Sequence, residues 1–473
     1  MKVVVVGGGT AGWISALILK KETDHDITLI DNSSVGPLGV GEGTTGLFVN
    51  IVKKYFDEEE FVRECGATPK MGIDFIGWAE DDFVSPLNGT FSCDEDYDYA
   101  FFSGINSGKL NSYSTFSLLS ENNKVSYKKG TTKNSFITPG VNAYHLDTHK
   151  TIAYLKKFCV DIGVEFIDSE IISFDKSFFG KVKTINCSDN LNIECDFVVD
   201  CSGFHRKVIS EYKPKFISYE KWMSVNTALS FRLSYNSFKF TKPVTISRAL
   251  SCGWMWMIPT QKSIGCGIVY DNKFASEEDV ISEVSKLLNN EIEINRKINF
   301  KTGRLKKSLY QNVASVGTSY SFLEPLQATS IHTTILQATR ISELLKNLIT
   351  PNEYNEYCAS IVDNYADFLS LHYQFKYIDN KFWNSRVPRK YTQKIINKCK
   401  SSNVIFASDY NTKNKDFTSH NLWSYVLSGG KLLTKDDDDL SDKEVLTIKT
   451  WEKNIPFVLS QYMTFDEFRK MYN

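Results

Sequence analysis

The sequence predicts a mixed chain, α/β at its start and α+β beyond, and three observations carry that expectation. Lys2-Val3-Val4-Val5-Val6 is an unbroken β-branched run, which suits a strand buried on both faces of a parallel sheet. Gly7-Gly8-Gly9-Thr10-Ala11-Gly12 follows, then apolar residues at helical spacing over 13–21 and a second strand over 26–30 closed by Asp31, which completes a βαβ unit. Alternating segments at 183–200 and 225–275 read as antiparallel strands, and 355–473 is mostly helical by pattern.

The remaining elements fall between these. Residues 149–162 have a helical pattern with Gly163 placed for its C-cap, and 164–167 can form a strand. A last helical pattern starts near Thr333, and 80–140, rich in Ser, Asn, Gly and aromatic residues, reads as an insertion of loops and short strands. We therefore expect a core over 1–340 carrying that insertion and a mostly helical part over 341–473, with Lys435-Asp436-Asp437-Asp438-Asp439 as a solvated loop.

Composition removes several classes of function. The chain has 473 residues, of which 42% are hydrophobic and 23% charged, and its 55 basic and 56 acidic side chains leave a net charge of −1. Nucleic-acid scaffolds and polybasic membrane binders carry a Lys/Arg excess that is missing here, and no apolar run reaches the length of a membrane span. Met1-Lys2 leads straight into the first strand with no room for a secretory leader, so the expected location is the cytoplasm. The ten cysteines contain no CxxC pair, which argues for reduced, buried thiols rather than disulfides or a zinc ribbon, and no metal site is expected.

Gly7, Gly9 and Gly12 form GxGxxG between strand and helix, with Asp31 about twenty residues further on, which is the dinucleotide-binding fingerprint. The first glycine makes the turn, the second admits a pyrophosphate to the backbone, and the third lets helix and strand close up. Thr10 and Ala11 then lie at the helix N-terminus, whose N–H groups face the phosphates, and Asp31 can accept from ribose hydroxyls. The fingerprint alone does not separate FAD from NAD. A second glycine-rich stretch, Gly39-Val40-Gly41-Glu42-Gly43, and a late strand ending in Asp200-Cys201-Ser202-Gly203 resemble FAD-dependent oxygenases of the hydroxybenzoate-hydroxylase fold, so FAD is the expected cofactor.

The most specific string is Gly253-Trp254-Met255-Trp256-Met257-Ile258-Pro259, which reads WxWxIP. Together with the GGGTAGW opening, Tyr144-His145-Leu146-Asp147, Gly303-Arg304, Phe322-Leu323-Glu324-Pro325-Leu326-Gln327-Ala328-Thr329 and His372-Tyr373, it resembles the flavin-dependent halogenases of the tryptophan-halogenase family, in the same order over 1–385. The resemblance implies that reduced FAD from a separate flavin reductase, with O₂, oxidises halide to hypohalous acid, which passes to a lysine that halogenates a small aromatic substrate. Lys70 occupies the matching position. The halide falls on Thr329 and Ser330, whose consecutive amides could form an anion nest. Ile331, Gly317, Thr318 and Ile171 are carried over as further flavin contacts, and Trp254 and Trp256 as walls of the substrate pocket. Read without the family, Lys70 is a surface lysine, the two tryptophans are core packing, and Thr329 or Ser330 is the N-cap of the helix near Thr333.

Two departures qualify the resemblance. Gln327 stands where tryptophan halogenases carry a glutamate that orients hypohalous acid or takes the proton, and glutamine is no base at neutral pH. A weakly assisted site favours easily oxidised halides, so bromide or iodide is expected to outperform chloride. No C-terminal lid for free tryptophan is recognisable, although Trp423, Tyr425 and Trp451 could wall a pocket. Two other readings stay open: a flavin-dependent aromatic hydroxylase, against which no Asp follows Gly317-Thr318, and a flavin-binding protein whose catalysis has decayed. Homo-oligomerisation is left open.

Overall fold

The computed structural model describes residues 1–34, 36, 39, 41–87, 114–128, 143–236, 238–240, 242–375, 377–402, 420–432 and 442–472. The chain forms two compact units that interleave in sequence: Met1–Gly39, Thr148–Glu220 and Phe300–Asp363 make one, and Val40–Asp147, Lys221–Asn299 and Asn364–Asn473 the other. The acidic stretch at 435–439, Val40 and most of 88–142 lie outside the described residues.

The first unit is built on a six-stranded sheet whose centre is Lys2–Val6, paired in parallel with Asp26–Asp31 on one side and Phe197–Asp200 on the other. Val3, Val4 and Val5 are buried, as an unbroken β-branched run between two parallel neighbours requires. The helix Thr10–Glu22 returns over this sheet and packs against the helices Thr148–Asp161 and Thr329–Leu345. It is apolar almost all round, from Trp13 to Leu19, because neighbours cover it.

One strand differs from the antiparallel reading of 183–200. Val182–Cys187 does pair antiparallel with Ile171–Lys176 and Asn192–Glu194, but Phe197–Asp200 lies in the parallel sheet between Lys2–Val6 and Val313–Ser315. Its sequence, Phe-Val-Val-Asp, is buried at every position, and that continuous burial marks a central parallel strand.

The second unit is built on a seven-stranded sheet in which Gly253–Pro259 sits between Ser263–Tyr270 and Thr245–Leu250, both antiparallel to it. Gly72–Ile76 extends this sheet in parallel beside Thr245–Leu250. Opposite Trp256 stands Gly267, and a Cβ there would come within 2.1 Å of the indole ring. The indole therefore lies close against Gly267 on the neighbouring strand, with Trp254 6.0 Å away between ring centroids.

The C-terminal part is mostly helical as expected. Trp423 and Tyr425 pack with Phe368, Leu371 and Ile395 in a buried cluster, and Trp451 packs on Leu118, so all three aromatic candidates are core side chains. The nine cysteines among the described residues are buried thiols outside any disulfide. Among those residues no helix is long and apolar enough to cross a membrane.

The close seating of Trp256 can be tested directly. Gly267→Ala is expected to destabilise the fold by about 1–3 kcal/mol, as overpacking against a rigid neighbour does, and to shift tryptophan emission. Thermal unfolding with fluorescence detection reads both; an unshifted melting temperature would show that the ring does not lie on Gly267.

Candidate functional site

In the first unit the glycine turn has the shape its spacing predicts. Gly7 takes φ of 106°, a conformation that suits glycine, and a Cβ on Gly12 would lie 1.8 Å from the Gly7 carbonyl oxygen, so helix and strand meet backbone to backbone. A Cβ on Gly9 would meet nothing within 4 Å, which leaves the outer side of the turn open. Thr10 and Ala11 start the helix behind it, with Gly9 as a cap that offers no side-chain acceptor to the first N–H groups. The Asp31 carboxylate accepts backbone N–H bonds from Gly8 and Asn32, while burial raises it above the usual carboxylate range. An open anion-facing turn, a helix N-terminus and an acid beside it fit the pyrophosphate and ribose of a dinucleotide.

Other predicted contacts in this unit are placed as follows. Gly39 lies against Thr148, and Ile171 is a buried residue opening its strand. Gly317, with φ of 62°, and Thr318 form a short 3₁₀ turn after the strand Val313–Ser315. The Asp200 carboxylate holds the neighbouring turn by accepting from Ser202 N and Oγ at 3.0 and 2.6 Å, and from Val208 N and Ile209 N at 3.0 and 2.8 Å.

The predicted halide region differs in detail from the sequence reading. The helix begins at Thr329, four residues before Thr333, and neither Thr329 nor Ser330 caps it; the cap is Ala328, with no side-chain hydrogen bond. Gln327 and Ala328 instead turn the chain with consecutive left-handed conformations, φ of 67° and 54°. Such residues cost roughly 1–2 kcal/mol each, so the surrounding packing must enforce the turn. Thr329, Ser330 and Ile331 are consequently the first three helical residues, and their N–H groups belong to the positive end of the helix dipole.

In the second unit, Gly41 lies against Ile258, and Glu42–Gly43 pairs with Ala143–Leu146, which in turn pairs with Thr68–Lys70. Lys70 is 1% exposed, not a surface lysine, and its Nζ reaches across the middle strand to donate to the Thr44 carbonyl at 3.2 Å. Burial pushes its amine down to about 7, and no carboxylate pairs with it among the described residues. Strand register puts Thr68, Lys70, Ala143 and His145 on one face. His145 is fully buried, and burial together with Lys70 holds its imidazole well below the ordinary value.

The tautomer of His145 follows from its partners. Thr68 Oγ1 donates to the Pro259 carbonyl at 2.6 Å, so its oxygen is left to accept from His145 Nδ1 at 3.5 Å, while Nε2 pairs with Thr245 Oγ1 at 2.9 Å. The proline of WxWxIP is thereby tied to the strand that carries Lys70. Sequence reasoning does not find this chain, because its members are separated by up to 191 residues and only the sheet register joins them. Of the two tryptophans, Trp254 is buried against Trp78, while Trp256 is partly exposed.

Burying Lys70 without a counter-charge couples it to stability. In the unfolded chain the amine keeps a value near 10.5, so between about 7 and 10.5 the unfolded state binds the extra proton and stability rises with pH. Lys70→Met is expected to melt at a higher temperature than the unaltered protein below pH 7, with the gain shrinking towards pH 10.5. A constant difference across that range in thermal unfolding would mean that Lys70 is not buried uncompensated.

The tryptophan halogenase family profile matches residues 2–444. Among curated proteins, the tryptophan 7-halogenase RebH of Lentzea aerocolonigenes is 26% identical over 435 residues, covering 81% of this chain and 78% of that protein. The tryptophan 6-halogenase ThaL of Streptomyces albogriseolus is 26% identical over 431 residues, covering 84% and 80%. A flavin-dependent halogenase from Xanthomonas campestris shares the fold with a TM-score of 0.87 at 23% identity, over 100% of this chain and 98% of that one. With that profile matched over nearly the whole chain, this protein belongs to the tryptophan halogenase family of flavin-dependent enzymes.

Proposed function

We propose that the chain is a halogenase that takes FADH₂ from a separate flavin reductase, with O₂ and halide, and halogenates an electron-rich aromatic substrate through Lys70. The observation that carries this reading is the burial of Lys70 with only a backbone carbonyl as its partner among the described residues. A desolvated amine without a carboxylate is costly, and such groups cluster at functional sites. When bound, reduced FAD supplies, with O₂, the oxidation of halide to hypohalous acid.

The chain's own residues divide the remaining tasks. Gly7, Gly9 and Gly12 hold the pyrophosphate, with Thr10 and Ala11 presenting helix N–H groups and Asp31 accepting from the ribose. Gly317, Thr318, Ile331, Ile171 and Gly39 contact the rest of the flavin. The N–H groups of Thr329 and Ser330 hold the halide at the positive helix end. Lys70, poised near neutrality, donates to hypohalous acid as an ammonium or accepts halogen as an amine, and either form places the electrophile at one atom. Trp256, the partly exposed one of the two tryptophans, belongs to the wall facing the arene, with Trp254 packed behind it. Gln327 can hydrogen-bond but does not take a proton, which favours bromide or iodide over chloride.

A reconstituted assay tests the reading. Purified protein with FAD, a reductase, NADH and O₂ is expected to halogenate a phenol or indole, faster with bromide or iodide than with chloride, and Lys70→Ala is expected to lose at least ~10³-fold of the product rate. Hydroxylated product without halide dependence would replace the reading with that of a hydroxylase, and flavin oxidation with neither product would mark a decayed enzyme. Gln327→Glu is expected to raise chlorination; no gain would remove the missing base as the reason for the halide preference.

A further inference from the structure

We propose that Gln337 is a positioning residue for the flavin, holding the Gly317–Thr318 turn in the shape that receives the cofactor; the inference rests on the flavin reading above. Its Oε1 accepts from the Gly317 backbone N–H at 3.0 Å, and both residues are fully buried. Because an N–H can meet only the oxygen of the amide, the orientation of the Gln337 side chain is fixed, and its other end lies beside the Cys358 thiol. The backbone satisfies the N–H groups on either side of the turn: Val316 N donates to Asp200 O at 3.0 Å, and Tyr320 N to Gly317 O at 3.0 Å. The inward N–H of Gly317 is the donor that takes a side chain for its partner.

The turn is confined on its other sides as well. A Cβ on Gly317 would lie 3.0 Å from Ala11 Cβ and 3.1 Å from Thr334 Oγ1, so the turn sits between the glycine cradle's helix and the helix Thr329–Leu345. Gln337 occupies a buried position in that second helix, among Ile331, Ile335, Ala338 and Ile341. The bond it makes accounts for its oxygen at such a position, while its Nε2 is buried without a hydrogen-bond partner among the described residues. Eight residues separate it from Thr329, about 12 Å along the axis. One rigid helix thus presents Thr329, Ser330 and Ile331 at its start and fixes the flavin-side turn two turns later.

Without the glutamine oxygen, the Gly317 N–H is buried and unsatisfied, the free protein reorganises the turn to hydrate it, and binding must order the turn again. Titration of the full chain with FAD, followed by flavin fluorescence and absorption, measures this without turnover. Gln337→Met is expected to raise the FAD Kd ~10-fold. It should also move the bound flavin spectrum towards that of free FAD. Gln337→Glu, which keeps an acceptor at the same reach, is expected to bind within ~3-fold of the unaltered protein. Melting temperatures of the FAD-free proteins are recorded in parallel, since a purely structural role lowers them and leaves Kd and spectrum alone.

Unaltered FAD affinity in Gln337→Met would overturn the inference, as would equal losses in the Met and Glu variants. Should the Met variant not fold, Gln337→Asn, too short to reach Gly317, replaces it with the same outcomes. Failure of the unaltered protein to bind FAD would instead sink the flavin reading and this inference with it.

Discussion

An uncompensated amine in a dry place is the constraint around which the second unit is arranged. A lysine normally keeps its ammonium in water while its stem lies on apolar surface, and Lys70 does neither, being buried to the tip. The surroundings tolerate it by staying uncharged: a backbone carbonyl accepts its bond, and the one imidazole on its face is held neutral between two threonine hydroxyls. A carboxylate beside the amine would form an ion pair and raise it back towards its ordinary, protonated range. The neighbourhood thus keeps the lysine near the point where protonated and neutral forms are both accessible.

The first unit solves a different problem, the approach of backbone to a large anionic ligand. Contact between Gly7 and Gly12 brings the start of a helix onto the end of a strand, so that N–H groups with no partner inside the helix face outwards. The same device recurs at Thr329, where the left-handed Gln327 and Ala328 turn the chain into the helix without a capping side chain. A side-chain cap would occupy the N–H groups that an anion needs, so the strained turn and the open helix end belong together.

Much of this was legible in the chain itself. The valine run, the glycine spacing and Asp31 are local signals, and the βαβ unit they predict is present within three residues at each boundary. WxWxIP and the Glu324-Pro325-Leu326-Gln327 stretch pointed to the family. The strand Phe197–Asp200 reads as antiparallel from the sequence because its run of three apolar residues is too short to stand apart from the alternating segments before it. The helix start was misplaced because Thr and Ser promise caps, whereas two left-handed residues of ordinary type announce nothing.

What the sequence by itself determined is therefore what depends on neighbours along the chain: the nucleotide cradle, the central strands, and the identity of the lysine and of the tryptophan string. Only the tertiary structure decided that Lys70 is buried, that Pro259 is tied through Thr68 to His145, and that Gln337 reaches Gly317. Each of those depends on which strands lie side by side, in what register and direction, and on how much water is left around them. Sequence spacing fixes periodicity, but desolvation and hydrogen-bond geometry are properties of groups brought together from tens to hundreds of residues apart.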